Sequence, residues 1–402
     1  MRILFTFVGG SGHYEPLVPL ARAAGSAGHG VTFACRPSMV GIVLGDGFSA
    51  CGAGPDVEEP TAIGPLVVPG IAHEERVLVD GFARRTAAAR ARVVFDLAIE
   101  IRPDLVVCDE VDFGAMLAAE QLGLPHASVA VLAAGSFARP ELLAEPLGEV
   151  RAALGLAPDP ELEMLHRHLV LVPCPPTFRD PSRPLPATVH AIRPSVLEPR
   201  PAGSDADAGI DGAGDERAAR IGEIVGRRSS GRRGRPVVYA TLGTIFNMES
   251  GDLLHRIVDG LADLDVDVVA TVGRQLDPST WGEVAPNVHL ARFVPQAIVL
   301  AGADAVVSHA GSGSVVGALA FGLPSVLLPM GADQTHNAQR CRQLGVGVEL
   351  DPVTASGGDI ADAVAAVLAD VAMHARAGRL AAEAAALPDA RSAVARLEAL
   401  VR

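Results

Sequence analysis

Short apolar runs that end in small or glycine-rich turns and lead into helical patterns recur along the chain, and this alternation restricts the fold most. Residues 3–8 form the first run, closed by Gly9-Gly10-Ser11-Gly12. An amphipathic stretch over 16–27 follows and stops at Gly28, a residue suited to the left-handed turn at a helix C-terminus. Residues 31–34, 105–108 and 127–132 read as further strands and 114–122 as a helix. The pattern restarts at Pro236 with 237–240, continues with 266–271, 305–308 and 325–328, and is almost wholly helical from Asp359. Apolar strands separated by helices belong to parallel sheets covered on both faces. The expected class is α/β with two such sheets, whose strands offer ligand sites at their carboxyl ends.

Between Pro173 and Arg235 the alternation fails. Residues 173–201 are dense in proline, 202–215 consist mainly of Gly, Ala and Asp, and 227–235 of Arg, Gly and Ser, which reads as linker composition. A length of 402 residues suits two or three domains with ample cores. The net charge of -14 and an aromatic share of 4% argue against nucleic-acid and membrane partners, and the short Arg cluster at 227–235 does not outweigh them. All 33 basic residues are Arg, which removes a Walker A lysine and Schiff-base chemistry. The 5 Cys residues are scattered without a C-x-x-C pair, and glycines come too early for a signal-peptide core, so a cytoplasmic protein with reduced thiols is expected.

Three places could carry chemistry. In the segment 306–314 a strand, a Gly-rich turn and a helix start meet, bringing together His309, Gly311, Ser312, Gly313 and Ser314. Unpaired N–H groups and the positive end of the helix dipole make such a start an anion site, and diphosphate could be held there without Lys or metal. A tight turn with Ser as cap is the plainer alternative. Met330-Gly331-Ala332-Asp333-Gln334 follows the strand at 325–328 and offers hydroxyl-binding groups, with helix capping by Asp333 as the alternative. His13, at the turn after the first strand, suits a general base, and Asp109, ending the strand at 105–108, could orient it. Asp265-Val266-Asp267 has metal-site spacing but opens a buried strand, and His166 with His168 on a helix would face apart.

Taken together these pieces resemble the family 1 glycosyltransferases, inverting enzymes that include bacterial antibiotic, enediyne and macrolide glycosyltransferases. The motifs are Gly12-His13 with Pro16-Leu17 and Pro19-Leu20-Ala21, Thr241-Leu242-Gly243-Thr244, Arg292-Phe293-Val294-Pro295-Gln296, the segment 308–314, Gly322-Leu323-Pro324, and Asp333-Gln334 with Asn337-Ala338. The resemblance implies a GT-B fold, two Rossmann-like doubly wound parallel-sheet domains facing across a cleft. It implies an acceptor-binding domain over 1–200, a flexible linker over 201–235, a nucleotide-sugar domain over 236–385 and a helix over 386–402 crossing back to the first. It implies His13 as catalytic base with Asp109 its partner. Gly243, Thr244, His309, Gly311, Ser312, Gly313 and Ser314 are then expected at the donor diphosphate, and Phe293, Val294 and Gln296 at the nucleobase. Asp333 and Gln334 are expected at the donor sugar.

The family often has Gly where this chain has Ser312 and Thr where it has Ser314, and plant relatives carry a ribose-binding Glu where this chain has Gly317. That gap favours a dTDP-sugar over a UDP-sugar as co-substrate, with no cofactor and no metal expected. The acceptor is expected to be a lipophilic secondary-metabolite aglycone, held by apolar stretches at 63–95 and 132–143 that include Phe82, Phe95 and Phe137, with Met116 nearby. The aglycone, the linkage type and homodimer formation stay open. Rival readings are a sugar-nucleotide epimerase of the same fold, a non-catalytic sugar-nucleotide-binding helper, and a nicotinamide oxidoreductase, for which the first turn lacks G-x-G-x-x-G.

Overall fold

A computed structural model describes residues 1–56, 62–198, 216–229, 234–244 and 246–402. The chain divides into two compact units: Met1–Glu58 with Ile71–Glu198 and Ala386–Arg402, and Glu59–Gly70 with Pro199–Ala385.

The first unit is built on seven strands: β1 (Arg2–Thr6), β2 (Gly30–Cys35), β3 (Ser49–Gly52), β4 (Leu105–Asp109), β5 (His126–Val129), β6 (Leu169–Val172) and β7 (Val189–Ala191). They lie in the order β3-β2-β1-β4-β5-β6-β7, all parallel. Alternate residues of a strand face opposite sides of the sheet. Ile3 and Phe5 accordingly enter the cluster with Leu20, Ala24 and Leu397, and Leu4 enters the other, with Val94, Met116 and Leu147. The C-terminal helix Ala390–Ala399 packs on the helix Val18–Ser26. Its Ala390, Ala393, Val394 and Leu397 are buried at helical spacing.

The second unit carries β8 (Val237–Thr241), β9 (Asp267–Thr271), β10 (Val288–Ala291), β11 (Ala305–Ser308), β12 (Ser325–Leu327) and β13 (Gly347–Glu349). Their order is β10-β9-β8-β11-β12-β13, again parallel. In each unit the strand order reverses once, between β1 and β4 and between β8 and β11. Crossovers leave in opposite directions there, so the carboxyl ends at a reversal are open to a ligand. His13 and Asp109 follow β1 and end β4; Thr244 and His309 follow β8 and β11.

Three expectations need correction. The stretch expected as linker contains the helix Glu216–Ser229, whose Ile221, Ile224 and Val225 are buried, while 201–215 and 230–233 lie outside the described residues. Gly302 permits that packing, because a Cβ there would lie 2.6 Å from the Val225 carbonyl oxygen. Residues 62–70, expected with the first domain, count with the second unit, where the Gly64 N–H donates to the Met248 carbonyl at 2.7 Å. His166 and His168 lie in a turn leading into β6 rather than on a helix. Among the described residues no helix is long and apolar enough to cross a membrane.

Candidate active site

In the first unit the turn after β1 closes into the short helix Ser11–Tyr14, which carries His13. Glycine at position 9 makes room for the imidazole, since a Cβ there would lie 2.0 Å from His13 Cδ2. His13 Nδ1 pairs with Asp109 Oδ2 at 3.0 Å. Asp109 is fully buried and also accepts the N–H groups of Val8 (2.9 Å) and Val111 (2.8 Å). Burial pushes its pKa up, but the His13 charge and hydrogen bond and the two backbone donors outweigh burial and hold the carboxyl below its ordinary value. An ionised Asp109 favours a proton on Nδ1, which leaves Nε2 as the unprotonated ring nitrogen. A buried Arg90–Asp112 pair (2.6 Å) braces this strand end, and Asp112 caps the helix Phe113–Gln121 through Ala115 N–H.

The expected acceptor residues divide. Phe82 is half-buried in a π-helical segment, Val77–Thr86. Phe137 and Met116 are 7% and 1% exposed and belong to the hydrophobic core, so they shape an acceptor surface only through the backbone they anchor. Phe95 packs on the same core.

In the second unit the helix Ser312–Ala320 begins at Gly311 with no side-chain cap, so the Ser-cap alternative is not what is built. Its first-turn N–H groups and dipole make an anion site, bordered by exposed Gly313 and Thr244. His309 is fitted between two glycines: a Cβ on Gly243 would lie 2.7 Å from its ring and one on Gly311 2.3 Å. Burial pushes the His309 pKa down to about 4, opposed in part by the Thr241 backbone. In the ligand-free protein this imidazole is therefore neutral near pH 7, and the positive field comes from the helix end.

The hydroxyl of Ser312 donates to Asp333 Oδ2 at 2.6 Å, and Asn337 Nδ2 donates to the same oxygen at 2.8 Å and to the Ala310 carbonyl at 3.0 Å. Asp333 makes no capping bond to the following helix. Gln334 is 1% exposed, and its Oε1 accepts the N–H groups of Met330 (2.7 Å) and Gly331 (3.2 Å), so its carbonyl is engaged by protein. Ser314 is buried. Phe293 stacks beneath Arg274, whose guanidinium carbon is 4.0 Å from the ring centre. The Val294 side chain is buried, leaving its backbone as the group able to meet a base. Gln296 Oε1 would lie 3.2 Å from a Cβ on Gly317.

Sequence reading gave Asn337 no role, although it holds Ala310 in the left-handed region (φ 64°), and it gave none to Glu110 or Arg179. A polar side chain one helical turn after Asp333 was the available signal for Asn337. Asp265 pairs with Arg235 at 2.7 Å, and no metal-binding cluster occurs among the described residues.

Residues 255–400 match the family described as erythromycin biosynthesis protein CIII-like, C-terminal domain. The tylactone mycaminosyltransferase of Streptomyces fradiae is 27% identical, with 100% of this chain and 92% of that protein covered. The L-demethylnoviosyl transferase of Streptomyces niveus is 28% identical over 96% and 95%. The crystal structure of the glycosyltransferase SsfS6 from Streptomyces sp. SF2575, complexed with thymidine diphosphate, superposes with a TM-score of 0.73 at 26% identity, covering 99% of both chains. Paired parallel sheets with loaded switch points and these matches define a glycosyltransferase of the GT-B fold. Its residues 255–400 match the EryCIII-like C-terminal domain, and the relatives it resembles over nearly their whole length are antibiotic glycosyltransferases.

Proposed function

We propose that this glycosyltransferase moves a sugar, a deoxysugar in the first instance, from a dTDP-sugar to a lipophilic secondary-metabolite aglycone with inversion at the anomeric carbon, His13 acting as general base. The observation that carries the reading is the His13–Asp109 pair at 3.0 Å on a switch point of the first unit. Asp109 keeps the ring in the tautomer whose Nε2 takes the acceptor hydroxyl proton, and it stabilises the imidazolium that results. The acceptor oxygen attacks the anomeric carbon from the face opposite the nucleotide, the bond to the diphosphate breaks, and the configuration inverts. Charge gathering on the leaving diphosphate meets the uncapped helix start at Gly311 and neutral N–H donors. Holding donor and acceptor together supplies the remaining advantage by proximity.

Support for dTDP comes from Gly317. Glycine supplies no carboxylate for the ribose at this position, and a Cβ there would lie 2.9 Å from Leu300 Cδ1, so a larger residue would have to displace that side chain. Names of relatives such as the mycaminosyltransferase and the thymidine diphosphate bound to SsfS6 agree with an amino- or deoxysugar donor of this kind. The test is mass spectrometry of a panel of lipophilic aglycones incubated with dTDP- and UDP-sugars, with the anomeric configuration of any product read by NMR. A glycosylated aglycone of inverted configuration formed from dTDP-sugars is expected. Donor epimerisation without transfer would favour the epimerase instead, and tighter UDP than dTDP binding would overturn the donor assignment.

A further inference from the structure

The residue after Asp109 is also a carboxylate, part-buried, and it points elsewhere. Successive residues at a strand end project to opposite sides. Asp109 turns to His13, whereas Glu110 Oε1 accepts two consecutive backbone N–H groups, those of Val131 (2.6 Å) and Leu132 (2.5 Å). These two residues were expected to prolong strand β5, which instead ends at Val129 because their donors go to a side chain. From the other side Arg179 Nη1 donates to the carbonyls of Leu132 (2.8 Å) and Ala133 (3.3 Å). Gly135 (φ 75°) is required by that guanidinium, because a Cβ there would lie 2.1 Å from Arg179 Nη2. One turn further on, Arg139 is ion-paired with Glu75 and donates to the Ser136 carbonyl at 3.4 Å.

We infer that Glu110 is a positioning residue for the acceptor: with Arg179 it clamps the backbone of residues 131–135 beside Asp109, so that the loop leading to Phe137 presents the acceptor hydroxyl to His13. The inference rests on the proposed acceptor chemistry. Apolar packing alone fixes a loop's depth but not its register, whereas two donors on one carboxylate oxygen and two carbonyls on one guanidinium specify both. β5 lies directly beside β4, and the Glu110 N–H donates to the Val129 carbonyl at 3.0 Å, so displacement of this loop is displacement next to the base. Burial raises the Glu110 carboxyl above its ordinary value, which agrees with a group held for its hydrogen bonds more than for its charge.

The test compares wild type, Glu110→Gln and Glu110→Ala by amide hydrogen exchange of the 131–137 segment and by steady-state kinetics with an aglycone that the wild type glycosylates. Gln can still accept both N–H groups, so E110Q should retain wild-type exchange and acceptor KM. E110A should exchange faster in that segment and raise the acceptor KM roughly tenfold, the effect of about one lost net hydrogen bond, with donor KM within about twofold. Unchanged exchange and acceptor KM in E110A would overturn the inference. So would a fall in kcat alone that tracks a lower melting temperature, the mark of a merely structural role. If the wild type glycosylates nothing, the functional reading fails, and the exchange comparison still decides whether the clamp exists.

Discussion

Ser312 and Asp333 are joined by a 2.6 Å hydrogen bond that ties the start of one helix to the residue before the next, at the carboxyl ends of β11 and β12. Asp333 Oδ2 therefore already holds two protein donors, Ser312 Oγ and Asn337 Nδ2, before any sugar is present. Both residues were expected to touch the donor, and the structure adds that they touch each other.

The first prediction follows from that pairing. In Ser312→Ala the backbone N–H toward the diphosphate is kept and the hydroxyl on Asp333 is lost. Affinity for dTDP alone should stay within about twofold, while affinity for a dTDP-sugar should shift by about tenfold or more, the effect of one hydrogen bond to a charged group. Calorimetric titration of both ligands checks it. Equal changes for both would place Ser312 on the phosphates instead.

Gly313 is exposed in the first turn of the uncapped helix, with nothing within 4 Å of a Cβ placed on it. An acidic residue there improves the interaction with the helix dipole and repels a bound diphosphate. Gly313→Asp should leave the melting temperature unchanged or raise it slightly and weaken dTDP binding by more than about tenfold. A site used only as a turn would show the stability effect without the loss of binding.

His126 in the first unit and His309 in the second are each driven down to about 4 by burial, from an ordinary 6.5. Between those values the unfolded chain holds a proton that the folded chain refuses, so stability rises with pH through that window and is lost on acidification. The lowered Asp109 adds a loss in the same direction at still lower pH, and the raised Glu110 opposes it near the carboxylate range. The two histidines dominate, at on the order of 3 kcal/mol each at most. Thermal melts should show a clearly lower transition at pH 5 than at pH 7; identical melts would mean that these imidazoles are not held neutral.

Asp109→Asn preserves side-chain size beside Val8, Val111 and His13 but removes the charge that fixes the His13 tautomer. Turnover should fall by roughly 10²-fold or more, with dTDP affinity unchanged. A wild-type rate in a folded variant would reduce the pair to a structural hydrogen bond.

Much of this was legible in the chain. Runs such as 105–108 and 305–308 are buried on both faces, and apolarity on both faces is a parallel-strand signature that tertiary context does not override. Local composition misled at 216–229, where an Arg- and Gly-containing stretch forms a helix because Ile221, Ile224 and Val225 make one apolar stripe. Strand β5 ended early because Glu110 captured the donors of Val131 and Leu132, a competition between side chain and sheet that periodicity does not register. At the site, the pairing of Asp109 with His13 was expected and is present, whereas the engagement of its neighbour Glu110 with a loop depends on which strands are adjacent and left no trace in the sequence. The charge state of His309 was hidden for the same reason, since its burial comes from Gly243 and Gly311 closing on the ring.

The role of His13 as base is decided by single-turnover glycosylation of an accepted aglycone by wild type and His13→Ala, with dTDP affinity measured on the same preparations. The variant should react roughly 10²- to 10⁴-fold more slowly with an unchanged dTDP dissociation constant. A variant that turns over at the wild-type rate would contradict it.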